Sequence, residues 1–231
     1  MKRLVLVLAA AALAGCGGEE RGEATLWITR DRGAEMILHR KVPAGLTAMQ
    51  ALDRVADIET RYGGRYVQSI NGIEGSLANR RDWFYFVNGY EADRSAAEYR
   101  LRDGDVEWWD FRSWRTRMRE PVVVGAFPEP FLHGYNGRRR PARVVYFAAR
   151  QRPAAVRLAK LVRGRATTNV FEAQAKRSNV LVLTAAKAKP SFTVSYASDR
   201  PGGPVGFVFA GDPELLLAKP PFGRYRYQVR P

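Results

Sequence analysis

The chain has 231 residues and a formal net charge of +15, and 46% of its residues are hydrophobic. That length accommodates one large domain or two small ones, and a content of 11% aromatic residues excludes a disordered chain. One cysteine and two histidines exclude a disulfide scaffold and a zinc cage built from these residues alone. Because no pairing of a nucleophile with a base is apparent either, we predict no catalytic residue, no metal site and no enzyme activity.

The amino terminus has the layout of a secretory signal. A basic pair precedes an apolar run over residues 4–14, which is too short to cross about 30 Å of hydrocarbon. The four residues that end the run resemble a bacterial lipobox, in which the cysteine is lipidated: Leu13-Ala14-Gly15-Cys16. We therefore expect a lipoprotein signal peptide over residues 1–16, a diacylglyceryl anchor on Cys16 that binds membrane lipid, and a flexible tether over residues 17–23. The protein should lie outside the cytoplasm, anchored to the bacterial cell membrane.

Charge is distributed unevenly along the rest of the chain. Residues 17–119 carry 17 basic and 17 acidic side chains, whereas residues 120–231 carry 19 basic and 6 acidic ones. Such an asymmetry predicts two domains with different surfaces, over residues 24–114 and 121–231.

The first domain is predicted to combine strands with a single helix. Residues 24–30 and 35–42 alternate as the two strands of a hairpin. Thr47 is a good N-cap for a helix whose apolar face extends to Ile58. Further strands are expected at residues 66–70, 83–87 and 106–111. A hairpin, a crossing helix and further strands are typical of a β-grasp, so we predict an α+β fold with an N-terminal β-grasp domain.

Four sequence blocks of this domain carry a family resemblance. They are Val42-Pro43-Ala44-Gly45-Leu46-Thr47, Ser69-Ile70-Asn71-Gly72-Ile73, Trp83-Phe84-Tyr85-Phe86-Val87-Asn88-Gly89-Tyr90 and Leu101-Arg102-Asp103-Gly104-Asp105-Val106-Glu107-Trp108. In this order and spacing they resemble the transcobalamin-like C-terminal domain family, also called DUF4430. In the vitamin carriers of that family, the related β domain closes over one face of cobalamin while a separate α/α barrel holds the other. This sequence has no such barrel.

The resemblance implies a β-grasp module on a lipoprotein, with corrinoid handling as a permitted function. It implies no required cofactor, although cobalamin is a candidate ligand, and an ABC/ECF-type uptake transporter is a candidate partner. The candidate ligand-binding residues are Asn71, Trp83, Tyr85, Asn88, Tyr90, Trp108 and His133.

Each of these candidates also has an ordinary structural explanation. Asn71 and Asn88 each precede a glycine, and such pairs form turns that need positive φ. Strand alternation places Trp83 and Tyr85 on one face of their strand, so these aromatic residues form either core or an exposed shelf for a flat ligand. Tyr90 follows the second Asn-Gly pair and belongs to the same aromatic set.

Trp108 and Trp109 point to opposite faces of one strand, so they cannot both belong to the core of a single layer. One of them must lie against the second domain or against a ligand. His133 is in a loop rich in proline and glycine, where it is either an axial ligand for a corrinoid or a solvated histidine.

The second domain resembles no family that we can name, and its pattern predicts a basic α/β domain. Strands are expected at residues 122–126, 144–148, 180–183, 192–196, 205–209 and 225–229. One helix is predicted to begin at Pro153, and a second to be capped by Asp212. Its arginine-rich surface suits anionic lipid or an envelope polymer, and we expect no nucleic acid partner for an exported lipoprotein.

Two functions fit these observations. A small-ligand binding module should have a cleft between the domains, lined by Trp and Tyr with a few Arg. A structural or protein-interaction protein of the envelope should instead have a filled seam and a flat surface.

Overall fold

The computed structural model describes residues 22–171, 177–185 and 189–231, which form a mixed α+β structure with several sheets and short helices. The predicted lipobox, with Cys16, lies outside these residues. Within the described ranges, no helix is both long and apolar enough to cross a bilayer.

The N-terminal half is built mainly from strands. Its elements are β1 (Glu23–Arg30), β2 (Glu35–Pro43), α1 (Ala48–Asp53), β3 (Ile58–Arg61), β4 (Tyr66–Ile70), β5 (Ile73–Glu74), β6 (Arg81–Val87), β7 (Tyr90–Glu91) and β8 (Val106–Ser113). Five of the strands form a sheet in the order β2-β1-β8-β6-β7, with β1 parallel to β8 and the other pairs antiparallel. The remaining three form a small antiparallel sheet in the order β3-β4-β5.

The C-terminal half contains a second five-stranded sheet. Its elements are α2 (Glu129–Leu132), β9 (Ala142–Val145), α3 (Arg152–Leu161), β10 (Arg165–Thr167), β11 (Asn179–Thr184), β12 (Ser191–Ala197), β13 (Val205–Ala210) and α4 (Glu214–Leu217). The strand order is β10-β9-β11-β13-β12, and β12 is the antiparallel edge strand of an otherwise parallel sheet. As expected from the sequence, α3 has proline in its first turn. Asp212 was predicted to cap α4, and its carboxylate accepts from the backbone N–H of Glu214 at 3.1 Å, but the N-cap is Pro213, one residue later.

The first hairpin shows how buried polar groups fix the N-terminal sheet. Its turn includes Asp31, Arg32 and Gly33, all at positive φ. The buried carboxylate of Asp110, from the neighbouring β8, accepts from the backbone N–H groups of Arg32 at 3.0 Å and Gly33 at 3.1 Å. It also accepts from the Thr29 hydroxyl at 2.5 Å. Strand β8 therefore determines the turn as well as the pairing of β1.

Helix α1 begins where the sequence predicts but ends earlier. Thr47 is its N-cap and forms a capping box with Gln50, in which each side chain accepts from the other residue's backbone N–H. The prediction that the helix extends to Ile58 is wrong, because Ile58 begins β3 and pairs with Ile70 of β4. Sheet pairing has overridden the helical period at this point. Both Asn-Gly turns have the predicted positive φ at their two residues.

Two predicted strands of the C-terminal half are absent from the described residues. Residues 122–126 form one bridge between Val122 and Tyr90 followed by a 3-10 turn, and residues 225–229 make only isolated backbone contacts. The reason is close backbone packing between these two segments. A Cβ on Gly125 would lie 2.2 Å from the carbonyl oxygen of Arg226, and the two segments exchange backbone hydrogen bonds with each other at Val124 and Tyr225.

The two halves share buried hydrophobic contacts. One cluster extends from β1 through Phe127 and Phe131 to the phenylalanines of the second sheet. A second cluster joins Trp27 and Trp108 of the first sheet to Tyr227. Trp108 and Trp109 are both buried, at 0% and 3% exposure, because the carboxyl-terminal segment covers the face that a single-layer sheet would leave open. The domain boundary between residues 114 and 121 stays a prediction.

Candidate functional site

A concave surface lies where loops of the two halves meet. This cavity, which we call the arginine cleft, has a volume of about 590 Å³. Asp93 and Arg94, which follow β7, form one part of its lining. The other walls are residues 135–136 and 138–141 before β9, and Ser198 with residues 200–204 between β12 and β13. Five arginines line the cleft against one carboxylate: Arg94, Arg138, Arg139, Arg140 and Arg200.

Tyr135 joins the walls of the arginine cleft. Its ring is buried, and its hydroxyl donates to Asp93 Oδ1 at 2.7 Å while accepting from the Asp93 backbone N–H at 3.3 Å. On the opposite wall, a Cβ on Gly202 would lie 3.0 Å from the Cβ of Tyr135, and Gly202 has a φ of +73°. Glycine therefore allows the two loops to approach closely, and the cleft has a defined shape before any ligand binds.

The electrostatics of the arginine cleft are dominated by positive charge. The Arg94 guanidinium donates to Asp93 at 2.9 Å and lowers the pKa of that carboxyl, with a further contribution from the Tyr135 hydroxyl. Burial, reinforced by the bond to Asp93, raises the pKa of Tyr135, so the phenol stays neutral. Arg140 Nε donates to the carbonyl of Gly202 at 2.6 Å, which fixes the guanidinium without neutralising it.

Two of the predicted ligand residues, Asn88 and Tyr90, lie in the layer beneath Tyr135. The side-chain amide of Asn88 is buried and donates to the Asp105 carboxylate at 2.7 Å and to the carbonyl of Gly134 at 2.9 Å. The Tyr90 ring lies 6.1 Å from that of Tyr135, and burial raises its pKa to about 12. Both residues hold the loop that carries Tyr135, and neither side chain lines the arginine cleft.

Trp83 and Tyr85 line a separate, smaller cavity of about 170 Å³. Tyr85 stacks on Trp109 with ring centroids 5.0 Å apart, and its hydroxyl donates to the carbonyl of Arg94 at 2.5 Å. Trp83 is 6% exposed and donates from its indole to the carbonyl of Ile73 at 2.8 Å. The smaller cavity is therefore an aromatic gap in the core face, linked to the arginine cleft through the backbone of Arg94.

The remaining candidates lie elsewhere. Trp108 is fully buried on the opposite face, where its indole donates to the Thr29 hydroxyl at 2.7 Å and its ring meets Tyr227 edge to face. Asn71 is an exposed turn residue that accepts from the backbone N–H of Asp57 at 3.0 Å. The seven candidates do not converge on one surface, so a ligand that touches all of them would require a different arrangement.

His133 is held by a carboxylate. Its Nδ1 lies 2.6 Å from Glu129 Oε2, and this hydrogen bond is the main reason that its pKa is raised. Its Nε2 faces Gly104, where a Cβ would lie only 2.6 Å away. A hydrogen bond from Nδ1 to a carboxylate fixes the orientation of the imidazole ring, in a structural histidine and in a ligand-binding one alike. Among the described residues, no group of three or more His, Cys, Asp or Glu side chains could hold a metal ion.

The sequence pattern did not predict Asp93, Tyr135 and Arg200 as residues of a site. The consecutive arginines at 138–140 were visible, but they suggested a broad basic face and not one wall of a cleft. The Pro-Gly-Gly-Pro sequence at residues 201–204 was the available signal for a tight loop opposite them.

Comparisons with known proteins find one family and no curated relative. Residues 45–113 match the family described as Domain of unknown function (DUF4430), and no curated protein matches the chain. Among solved structures, a protein of Ruminococcus gnavus described as a "putative metal binding protein" is 14% identical, with a TM-score of 0.33 over 40% of this chain and 98% of the other. Haptocorrin in complex with Cbi is 16% identical, with a TM-score of 0.33 over 39% of this chain. The match spans 25% of the haptocorrin chain.

The family match covers three of the four sequence blocks that carried the resemblance and the last residues of the first block. It also includes Asp93 and Arg94, which contribute to the arginine cleft, whereas the other walls lie beyond it. Over residues 45–113, this chain matches the DUF4430 family, as its sequence blocks predicted.

Proposed function

We propose that the protein is a membrane-anchored lipoprotein outside the cytoplasm that binds a small ligand in the arginine cleft. The observation that carries this proposal is a concave surface of about 590 Å³ that has a buried tyrosine and five arginines in its lining. That volume falls within the range of about 300–1,000 Å³ typical of small-molecule sites. The hydrogen bonds of Tyr135 preform the walls, which reduces the ordering cost of binding.

The N-terminal sheet supports the β-grasp part of the proposal. A hairpin is followed by α1, and the strand order β2-β1-β8-β6-β7 places the first and last strands side by side and parallel. In this proposal the β-grasp sheet is a rigid base for the cleft loops. No residue is assigned to a chemical step.

A corrinoid such as cobalamin is the ligand to test first, because the sequence blocks resemble the transcobalamin-like family. We propose that the protein captures the ligand and passes it to an uptake transporter of the ABC or ECF type. The test is titration of the full chain, in detergent, with cyanocobalamin and cobinamide, followed by corrinoid absorbance and tryptophan fluorescence. Pro141→Trp, which fills the arginine cleft, should weaken binding at least tenfold.

A matched variant controls for the added indole. Ala149→Trp places the same side chain on an exposed 3-10 turn outside the arginine cleft and should leave binding unchanged. Equal weakening by both variants would refute the cleft as the site. No response to either corrinoid would refute a corrinoid ligand.

Anchoring requires its own test. Metabolic labelling with palmitate should modify the chain and should be lost in Cys16→Ser, and an unlabelled protein in the cytosol would refute the localisation. The exposed basic side chains of α3, Arg152, Arg157 and Lys160, are proposed to contact anionic lipid or an envelope polymer. Co-sedimentation with liposomes of increasing anionic lipid content tests that contact.

An envelope-interaction protein is the second candidate. The observation that favours it is the packed seam at Trp27, Trp108 and Tyr227, where buried aromatic rings meet edge to face. This function predicts that no small molecule binds the arginine cleft and that Pro141→Trp changes only contacts with other proteins.

A further inference from the structure

The arginine cleft contains more positive charge than its own carboxylate can balance. Asp93 is already occupied, because it accepts from the Arg94 guanidinium and from the Tyr135 hydroxyl. Among residues 22–171, 177–185 and 189–231, no side chain forms an ion pair with Arg138, Arg139, Arg140 or Arg200. Four guanidinium groups therefore remain without a counter-ion inside one concave surface.

These charges are carried by loops with fixed backbones. Residues 135–138 close a turn in which the N–H of Arg138 donates to the carbonyl of Tyr135 at 3.0 Å. The N–H of Asn136 donates to the Tyr99 hydroxyl at 2.9 Å, which ties the turn to the N-terminal half. On the other wall, the N–H of Gly203 donates to the carbonyl of Arg200 at 3.0 Å. These bonds fix the loop backbones, and the exposed side chains of Arg138, Arg139 and Arg200 line one cleft.

Arginine is well suited to one class of ligand. Its planar guanidinium presents paired N–H groups that match the oxygens of phosphate and carboxylate, and it remains charged at any physiological pH. A concave surface lined by charges of one sign concentrates their field and attracts a multiply charged anion. Because the arginines come from opposite walls of a cavity, they can surround a small anion, whereas a flat basic face would suit a polymer or a membrane.

We propose that the ligand of the arginine cleft carries at least two negative charges on phosphate-type oxygens, and that Arg138, Arg139 and Arg200 bind them while Arg140 supports the wall. This inference rests on the proposed binding function and adds the chemical class of the ligand. A phosphate ester of a small molecule has this chemistry, and so does free pyrophosphate.

Isothermal titration calorimetry of the full chain in detergent, with inorganic pyrophosphate and inorganic phosphate as probes, tests the proposal. Pyrophosphate should bind at least tenfold more tightly than phosphate, because it presents more charge to the same arginines. Binding of pyrophosphate should weaken as salt is added. The triple variant Arg138→Gln, Arg139→Gln, Arg200→Gln should weaken it at least tenfold while far-ultraviolet circular dichroism stays unchanged.

A matched triple variant removes the same charge elsewhere. Arg54, Arg150 and Arg165 are exposed, lie outside the arginine cleft and have no ion pair among the described residues. Their replacement by Gln should leave pyrophosphate binding within twofold. Equal losses in both triple variants would overturn the proposal, since binding would then follow net charge alone.

Competition separates this inference from the proposed function. Suppose that a corrinoid binds, that Pro141→Trp weakens its binding, and that pyrophosphate neither binds nor competes. The arginine cleft is then a binding site, but the inference that its ligand is a phosphate-type anion is wrong. If neither probe binds, both proposals fail. If pyrophosphate binds and the corrinoids do not, the anion class stands and the corrinoid is excluded.

Discussion

Glu107 gives the sharpest prediction about stability. Its side chain is fully buried on β8, Oε1 accepts from the Trp109 indole at 2.6 Å, and Oε2 has no hydrogen-bond partner among the described residues. Burial, with the nearby Asp105 as a smaller cause, raises the pKa of Glu107 well above its usual value. The folded protein therefore holds a proton that the unfolded chain releases.

The sign of the pH effect follows from this difference. The unfolded carboxyl titrates near pH 4.3, so the folded protein loses stability relative to the unfolded chain as the pH rises from there to the folded pKa, at about 1.4 kcal/mol per pH unit. Glu107→Gln has nearly the same shape, can retain the indole hydrogen bond and does not titrate. Between pH 5 and 7, the variant should gain as much as about 3 kcal/mol relative to the wild-type protein.

Urea unfolding at pH 5, 6 and 7, followed by tryptophan fluorescence, measures this difference. Glu59→Gln, at an exposed position of β3, is the matched control and should follow the wild-type pH profile. Parallel profiles for Glu107→Gln and the wild-type protein would refute the reasoning, because they would show that Glu107 is ionised in the folded state. A difference in the free energy of unfolding that is the same at every pH would show that the substitution changes packing alone.

Three further predictions concern strain, packing and titration. Gly33→Ala should destabilise the fold more than Gly64→Ala in thermal unfolding. Both glycines have positive φ, but only at Gly33 would a Cβ lie 1.3 Å from a backbone oxygen. Equal losses of stability in the two variants would contradict the clash. Trp108→Ala should cost about 3–5 kcal/mol in urea unfolding, and a cost below about 1 kcal/mol would show that the seam is loosely packed. Glu129→Gln should lower the pKa of His133 in an NMR titration. It should also abolish a stabilisation that is present below about pH 6.5 and is lost as the pH rises through the folded pKa, and an unchanged titration would refute the contact.

Local patterns were sufficient for the parts of the fold that depend on neighbouring residues. The first hairpin, the Thr47 N-cap and the two Asn-Gly turns are each determined within a few positions, and each is confirmed. The helical period through Ile58 failed because pairing with a strand twelve residues away determines the conformation there. The alternation of side chains along β6 correctly predicted which residues share a face of the strand. It did not reveal that both faces would be covered.

The arginine cleft could not be derived in this way, because its walls come from distant parts of the chain. Asp93 and Tyr135 are 42 positions apart, and Arg200 lies a further 65 positions along. No spacing rule connects them, since the packing of the two sheets brings them together. The aromatic residues attracted attention through their type, yet their burial and existing hydrogen bonds assign most of them to structure.

The segment at residues 224–229 has a consequence for biogenesis. It covers Trp27 and Trp108, and the carbonyl of Gly125 accepts from its backbone N–H at Tyr225. During synthesis, this aromatic surface stays open until a segment more than a hundred positions downstream of β8 arrives. The strands of the first sheet can therefore all be paired long before residues 224–229 cover its aromatic face. A nascent chain that stalls at that stage exposes this hydrophobic surface to chaperones and proteases.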